Sequence, residues 1–148
     1  MSARAASRLT GLGFTVYRYQ AGKMDWFAAG LPREGSDANV PRIADVAKRD
    51  VPTCQLGERI GDLRDRLRAN GRKPVVVVDA DRVVLGLVGP DGLSGDPAAG
   101  VEDVMDLAPV TFRPNLRVGE MPEYLKKQRI QHALVTTNDG ILVGLIEP

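Results

Sequence analysis

A chain of 148 residues with 43% hydrophobic and 26% charged side chains holds enough apolar material for one or two small cored domains. Its 20 basic and 19 acidic side chains nearly cancel, and that balance speaks against nucleic acid as a partner, since such proteins carry a basic surplus. There is no run of 18 apolar residues to cross a membrane, and the N-terminus lacks a secretory apolar core. A single cysteine, Cys54, excludes an intrachain disulfide and suits a reducing compartment, so a cytoplasmic protein is expected.

Residues 1–35 read as a unit of their own. Ala5–Leu12 has helical character, Phe14–Tyr19 is strand-like, and Asp25–Ala29 forms a short amphipathic helix. Gly30, followed by Pro32, is a helix stop. Trp26, Phe27, Tyr17 and Tyr19 are expected to form a small hydrophobic cluster. The polar stretch Arg33–Asn39 is a linker.

Beyond the linker the chain repeats itself without a gap. Residues 45–88 return at 103–146, every matched pair lying as far apart as 45 and 103. Asp45-Val46 returns as Asp103-Val104, Thr53 as Thr111, Arg59-x-Gly61 as Arg117-x-Gly119, and Gly86-Leu87 as Gly144-Leu145. A unit this short cannot bury its own apolar face, so two copies are expected to close on each other about a pseudo-two-fold axis.

Each copy has the same internal order. A short strand at Val51–Cys54 or Pro109–Phe112 leads to an amphipathic helix. Ile60, Leu63 and Leu67 make its apolar stripe in the first copy, and Val118, Met121 and Leu125 in the second. Pro122 falls in or near the first turn of the second helix, where a lost backbone hydrogen bond is expected. Arg59, Arg64, Arg66 and Arg68 alternate with Glu58, Asp62 and Asp65, which gives a solvated helix face. Two strands follow, joined by Asp79–Arg82 or by Thr137–Gly140, a hairpin pattern. The unbroken apolarity of Val75–Val78 implies burial on both faces. Gly89–Gly100 connects the copies and has room for one helical turn. The predicted architecture is α+β: tandem strand-helix-strand-strand units, preceded by a short helix-strand-helix segment.

Taken together, Asp103-Val-Met-Asp106, Pro52-Thr53, Val76-Val-Val-Asp79 and Asn138-Asp-Gly-x-Leu-Val-Gly-Leu-Ile146 resemble a CBS domain pair, the tandem arrangement called a Bateman module. The first motif falls at 42–95 and the second at 100–148. The resemblance implies a non-catalytic regulatory or scaffolding protein that homodimerises through its helices. It also implies clefts for a regulatory ligand such as AMP, ATP or S-adenosylmethionine. Carried over residue by residue, the ligand contacts would be Val51, Thr53, Arg72, Lys73 and Pro74 at one cleft. At the other they would be Pro109, Thr111, Gln131 and His132.

The family's ribose-binding Ser/Thr-x-x-Asp falls on Gly89 and Gly92 in the first copy, with Asp91 one residue early. In the second copy the Ser/Thr position is Glu147. His132 itself reads as a strand-end histidine bonded to a backbone carbonyl, and Cys54 as a small buried hydrophobe. No metal site is expected from one histidine and one cysteine.

The N-terminal unit resembles the last third of a rhodanese domain through Gly13-Phe14, Val16-Tyr17, Ala21-Gly22, Trp26 and Ala29-Gly-Leu-Pro32. In that family a sulfur-carrying cysteine opens the helix that here begins near Met1, and no cysteine stands there. The resemblance therefore implies a remnant without its catalytic thiol. The alternatives to a ligand-sensing module are a remnant sulfurtransferase or a pure protein-interaction module.

Overall fold

The computed structural model describes residues 3–67, 74–119 and 121–147. Helices α1 (Ala3–Gly11) and α2 (Lys23–Ala28) form the N-terminal segment. The first copy follows with α3 (Ile43–Val46), β1 (Thr53–Cys54), α4 (Ile60–Arg66), β2 (Val75–Val78) and β3 (Val84–Val88). A one-turn helix, α5 (Pro90–Ser94), leads to the second copy: α6 (Val101–Val104), β4 (Thr111–Phe112), α7 (Met121–Lys127), β5 (Ala133–Thr136) and β6 (Leu142–Ile146).

The repeat seen in sequence is a repeat of structure, down to register. Each copy has a three-stranded sheet, β1-β2-β3 or β4-β5-β6, with its first pair parallel and its second antiparallel. Thr53 stands opposite Val76 as Thr111 stands opposite Leu134. The hairpins even share one irregularity, between Val77 and Val78 and between Val135 and Thr136. The pseudo-two-fold axis passes where Val83 bridges Ile141. There Val84 N–H donates to Gly140 C=O, and Leu142 N–H donates to Arg82 C=O, both at 3.0 Å.

The segment that opens each copy packs on the other copy. Ile43 of α3 is fully buried with Met121, Leu125 and Val135, while Val101 of α6 is buried with Ile60, Leu63 and Val77. Lys48 exchanges two backbone hydrogen bonds with Leu145, and Asp106 exchanges two with Leu87. At each crossing the sheet carries a glycine. A Cβ on Gly144 would lie 2.7 Å from the Lys48 carbonyl oxygen, and one on Gly86 would lie 2.8 Å from that of Asp106. The repeated Asp45 and Asp103 serve these helices. Their carboxylates accept the backbone N–H three residues earlier, at 2.8 Å from Arg42 and 3.1 Å from Gly100.

Burial on both faces of β2 has a plain cause. Val75 and Val77 face α4, whereas Val76 and Val78 meet Leu134, Leu142 and Leu145 of the other sheet. Burying each such side chain contributes about 1.5–3 kcal/mol. Of the stripes predicted for α4 and α7, Ile60, Leu63, Leu67, Met121 and Leu125 are buried, whereas Val118 precedes α7 and is only half-buried. Helix α7 begins at Met121, three positions later than α4 by the repeat. Pro122 is its second residue, where the N–H has no intrahelical acceptor, so no hydrogen bond is lost, contrary to expectation.

The N-terminal segment departs from its predicted helix-strand-helix form. Both helices are present, and Gly30 ends α2 with φ 67° as a C′ glycine should. Phe14–Tyr19, however, joins no sheet. β-Branched and aromatic content favours a strand only where a partner edge exists, and here Phe14 is 61% and Tyr17 87% exposed. Tyr17 therefore lies outside the expected aromatic cluster. That cluster reduces to Tyr19 edge-on to Trp26 at 5.2 Å, with Phe27 buried beside them.

Candidate functional site

The lead of the second copy runs antiparallel to β3 from the Asp106–Leu87 pairing onward. Between them lies a cleft of about 260 Å³. Val84 and Leu85 form one wall, Leu107 to Pro109 and Thr111 the other, and Arg113, Thr136, Asn138 and Gly140 the end nearest the axis. Two of the residues expected at a site, Pro109 and Thr111, therefore line a real cavity. Gln131 and His132 do not line it; they open β5 beside it. Leu134 N–H donates to Val110 C=O, and the parallel register continued two residues back brings His132 alongside Pro109.

His132 differs from its expected state. Its Nδ1 is buried and has no hydrogen-bond partner, so no backbone carbonyl satisfies it. The ring is half-buried just ahead of β5, where the nearest strand carbonyl, that of Val110, is already taken by Leu134 N–H.

The site expected in the first copy is less open. Arg72 and Lys73 lie outside the described residues. Pro74 is fully buried, and Val51 packs against the inter-sheet core, with Thr53 half-buried in β1. Lys48 and Glu147 form an ion pair that ties the lead of the first copy to the end of β6. Glu147 thus has a partner within the fold at the position where the family places a Ser/Thr. At the other end of β3, Gly89 caps α5 and Asp91 is exposed in its first turn. A Cβ on Gly92 would lie 3.1 Å from Val88 Cγ1 and 3.3 Å from the Val104 carbonyl oxygen. Helix α6, donated by the second copy, takes the space an aspartate would need.

Three polar cleft residues escaped the sequence reading: Arg113, Thr136 and Asn138. The guanidinium of Arg113 donates through Nη1 to Thr136 Oγ1 at 3.3 Å, and also to the carbonyl of Thr137. Thr136 is only 3% exposed. The signal that could have found them is a difference between copies, because the matching positions in the first are Gln55, Val78 and Ala80.

Cys54 is buried as expected, at 2% exposure. Burial raises its thiol from 9.0 to about 11, with Glu58 adding to the rise and Arg66 opposing it. It is protonated at neutral pH and offers no nucleophile there.

Comparison with known proteins agrees with this geometry. Residues 101–147, essentially the second copy, match the CBS domain family. The arabinose 5-phosphate isomerase KpsF of Escherichia coli is 27% identical over 115 residues, covering 71% of this chain. The chain spans about a third, 34%, of the length of that relative. AcuB from Vibrio cholerae superposes with a TM-score of 0.66 at 23% identity, over 73% of this chain and 84% of its own. The cytosolic domain of the Mg2+ channel MgtE, solved with ATP, gives 0.65 at 18% identity over 72% and 45%. A CBS domain pair solved with 5'-methylthioadenosine and S-adenosyl-L-methionine gives 0.60 at 13% over 73% and 90%. The fold of the two-copy body is therefore that of CBS-domain pairs. Among the described residues no helix is long and apolar enough to cross a membrane.

Proposed function

We propose that the chain is a non-catalytic regulatory CBS-pair module that homodimerises and holds one adenine nucleotide or adenosyl compound. The ligand would occupy the cleft of the second copy. The observation that carries this reading is the open cavity at Pro109 and Thr111, with His132 level with Pro109 by strand register and its Nδ1 unpartnered. A buried ring nitrogen without a partner costs about 1–3 kcal/mol, which a ligand group bonded to it would recover. In this reading Thr111 and His132 supply polar contacts, and Leu85 and Leu107 supply apolar walls. Two structural neighbours solved with ATP, or with methylthioadenosine and S-adenosylmethionine, support the ligand class. The first-copy contacts at Val51, Thr53, Arg72, Lys73 and Pro74 are subsidiary, since Pro74 is enclosed.

The dimer contact proposed from sequence keeps its helices but changes its residues. Leu63, Leu67, Met121 and Leu125 are internal, so the contact falls on the outer side of α7. There Tyr124 (48% exposed) and Leu116 (42%) flank Phe112. An equilibrium mass of 16.0 kDa at high micromolar concentration would exclude it. A ligand-free interaction module is the second reading, favoured by the filled space at Gly92.

A thermal-shift series with AMP, ADP, ATP, NAD, S-adenosylmethionine and methylthioadenosine tests the binding. A ligand at about 100 times its dissociation constant adds roughly 2.7 kcal/mol to the folded state. For a chain of this size that is a rise of roughly 5–10 °C. Saturation with one compound, lost in His132→Ala, supports the sensor. No shift with any of them at millimolar concentration leaves the interaction module.

A further inference from the structure

The N-terminal segment, the linker and the start of the first copy line a second cavity of about 310 Å³. Lys23, Trp26, Phe27, Arg33 and Arg42 line it, together with Glu34 and Asp37. Its cations converge on one ring. The guanidinium carbons of Arg33 and Arg42 lie 5.3 and 5.5 Å from the Phe27 centroid, and Lys23 Nζ lies 5.9 Å from it. Phe27 is buried; Arg33 and Arg42 are half-buried against it, while Lys23 stays exposed.

The acids nearby do not use up these donors. Asp45 accepts from Arg33 Nη2 at 2.9 Å, and Asp37 accepts from Arg117 at 2.8 Å with Arg42 Nη2 at 3.8 Å. Arg33 Nη1 and Arg42 Nε remain buried without any acceptor. Arg42 is held from behind, since its Nη1 donates to the Asn115 carbonyl at 3.3 Å. A charged donor buried without an acceptor is costly, and two at one cavity is a pattern that an oxyanion would complete.

We infer that this cavity binds a small oxyanion-bearing molecule, with Arg33 and Arg42 donating to the anion and Lys23 adding charge at the entrance. The site is independent of the nucleotide reading, because no residue is shared with the cleft at Pro109 and Thr111. Its size suits a ligand no larger than a sugar phosphate.

The chain's one tryptophan, Trp26, lines this cavity, so its fluorescence reports occupancy directly. The intact chain is titrated with inorganic phosphate, glucose 6-phosphate and succinate, which separate phosphate from carboxylate recognition. The expected result is a saturable emission change with at least one of them. Affinity should fall about tenfold in Arg33→Gln and several-fold in Lys23→Gln. Lys23 is exposed and forms no ion pair among the described residues, so that variant keeps its fold. Rising salt should weaken binding in the same proportion across ligands of equal charge. A response that never saturates, or one equal in native chain and both variants, overturns the site.

Discussion

The two copies share strands, register and hairpin irregularity, yet they differ where a ligand would meet them. In the second copy the turn-side cleft presents Arg113, Thr136 and Asn138; in the first, the same places hold Gln55, Val78 and Ala80. The strand opening is half-buried His132 in one and fully buried Pro74 in the other. Of the positions that pair the copies with each other, Gly86-Leu87 and Gly144-Leu145 are alike, whereas Lys48 is matched by Asp106 and Arg82 by Gly140, where the pairing uses backbone groups alone. Positions that face a cleft answer to only one copy.

The cores should show the first inequality and the largest effect. Leu63 and Met121 are equivalent by the repeat, but Leu63 is fully enclosed whereas Met121 is 9% exposed at the start of its helix. Leu63→Ala should cost about 3–5 kcal/mol and Met121→Ala about 2–3 kcal/mol, read by urea denaturation with an unchanged slope. Equal losses would mean that the later start of α7 has no energetic consequence.

Alkaline pH should separate the copies next. Cys54 is matched by Phe112, so only the first copy has a titrating group at this place. Its thiol ionises near 9.0 when unfolded but near 11 when folded. The folded state then holds more protons between those values, and stability falls as pH rises through that window. The full loss is roughly 2–3 kcal/mol, complete above about pH 11 and absent below about pH 9. Melting of the native chain and of Cys54→Ala, each at pH 8 and pH 10.5, isolates this contribution. Parallel losses in both proteins would show that the thiol is not its source.

A third comparison tests the exchange of leading segments. Gly144→Ala should cost about 2–3 kcal/mol, since the new methyl meets the Lys48 backbone and the Ala47 Cβ. Gly86→Ala should cost about 1–2 kcal/mol, because part of its clash is with the Met105 side chain, which can turn away. Neutral behaviour at both would refute the tight crossing.

These contrasts also mark what the amino-acid order discloses. The spacing of Val75–Val78 against Ala133–Thr136, and the turns at Asp79–Arg82 and Thr137–Gly140, made the paired hairpins legible. A repeat reports that two units are alike, but not which unit receives each leading segment. Ile43 and Val101 therefore gave no sign of lying in the opposite copy's core. Gly86 and Gly144 were visible as repeated residues, without the crossing backbone that requires them. Phe14–Tyr19 was misread because strand-forming composition says nothing about the availability of an edge. Of the candidate cleft, Pro109 and Thr111 were legible through motif position. Arg113 and Thr136 were not, since a threonine in an apolar strand reads as an ordinary β-former until its hydroxyl is seen to meet a guanidinium.

That last contact offers the smallest stability effect and the sharpest test of cleft chemistry. Thr136→Val gives the second copy the residue that the first already has at Val78. The side-chain shape is kept and one hydroxyl is lost, while Arg113 retains the backbone carbonyls of Thr136 and Thr137. Stability should change by less than about 1 kcal/mol, because neither partner is left without a bond. Arg113 would lose one anchor, so its planar fork should be less fixed at the cavity end. Calorimetric titration with whichever adenine compound binds the native chain should show affinity reduced about three- to tenfold. Unchanged affinity would place the ligand away from Arg113, nearer His132. Loss of stability well beyond that bound would instead make the Arg113–Thr136 bond a structural tie and not a feature of the cleft.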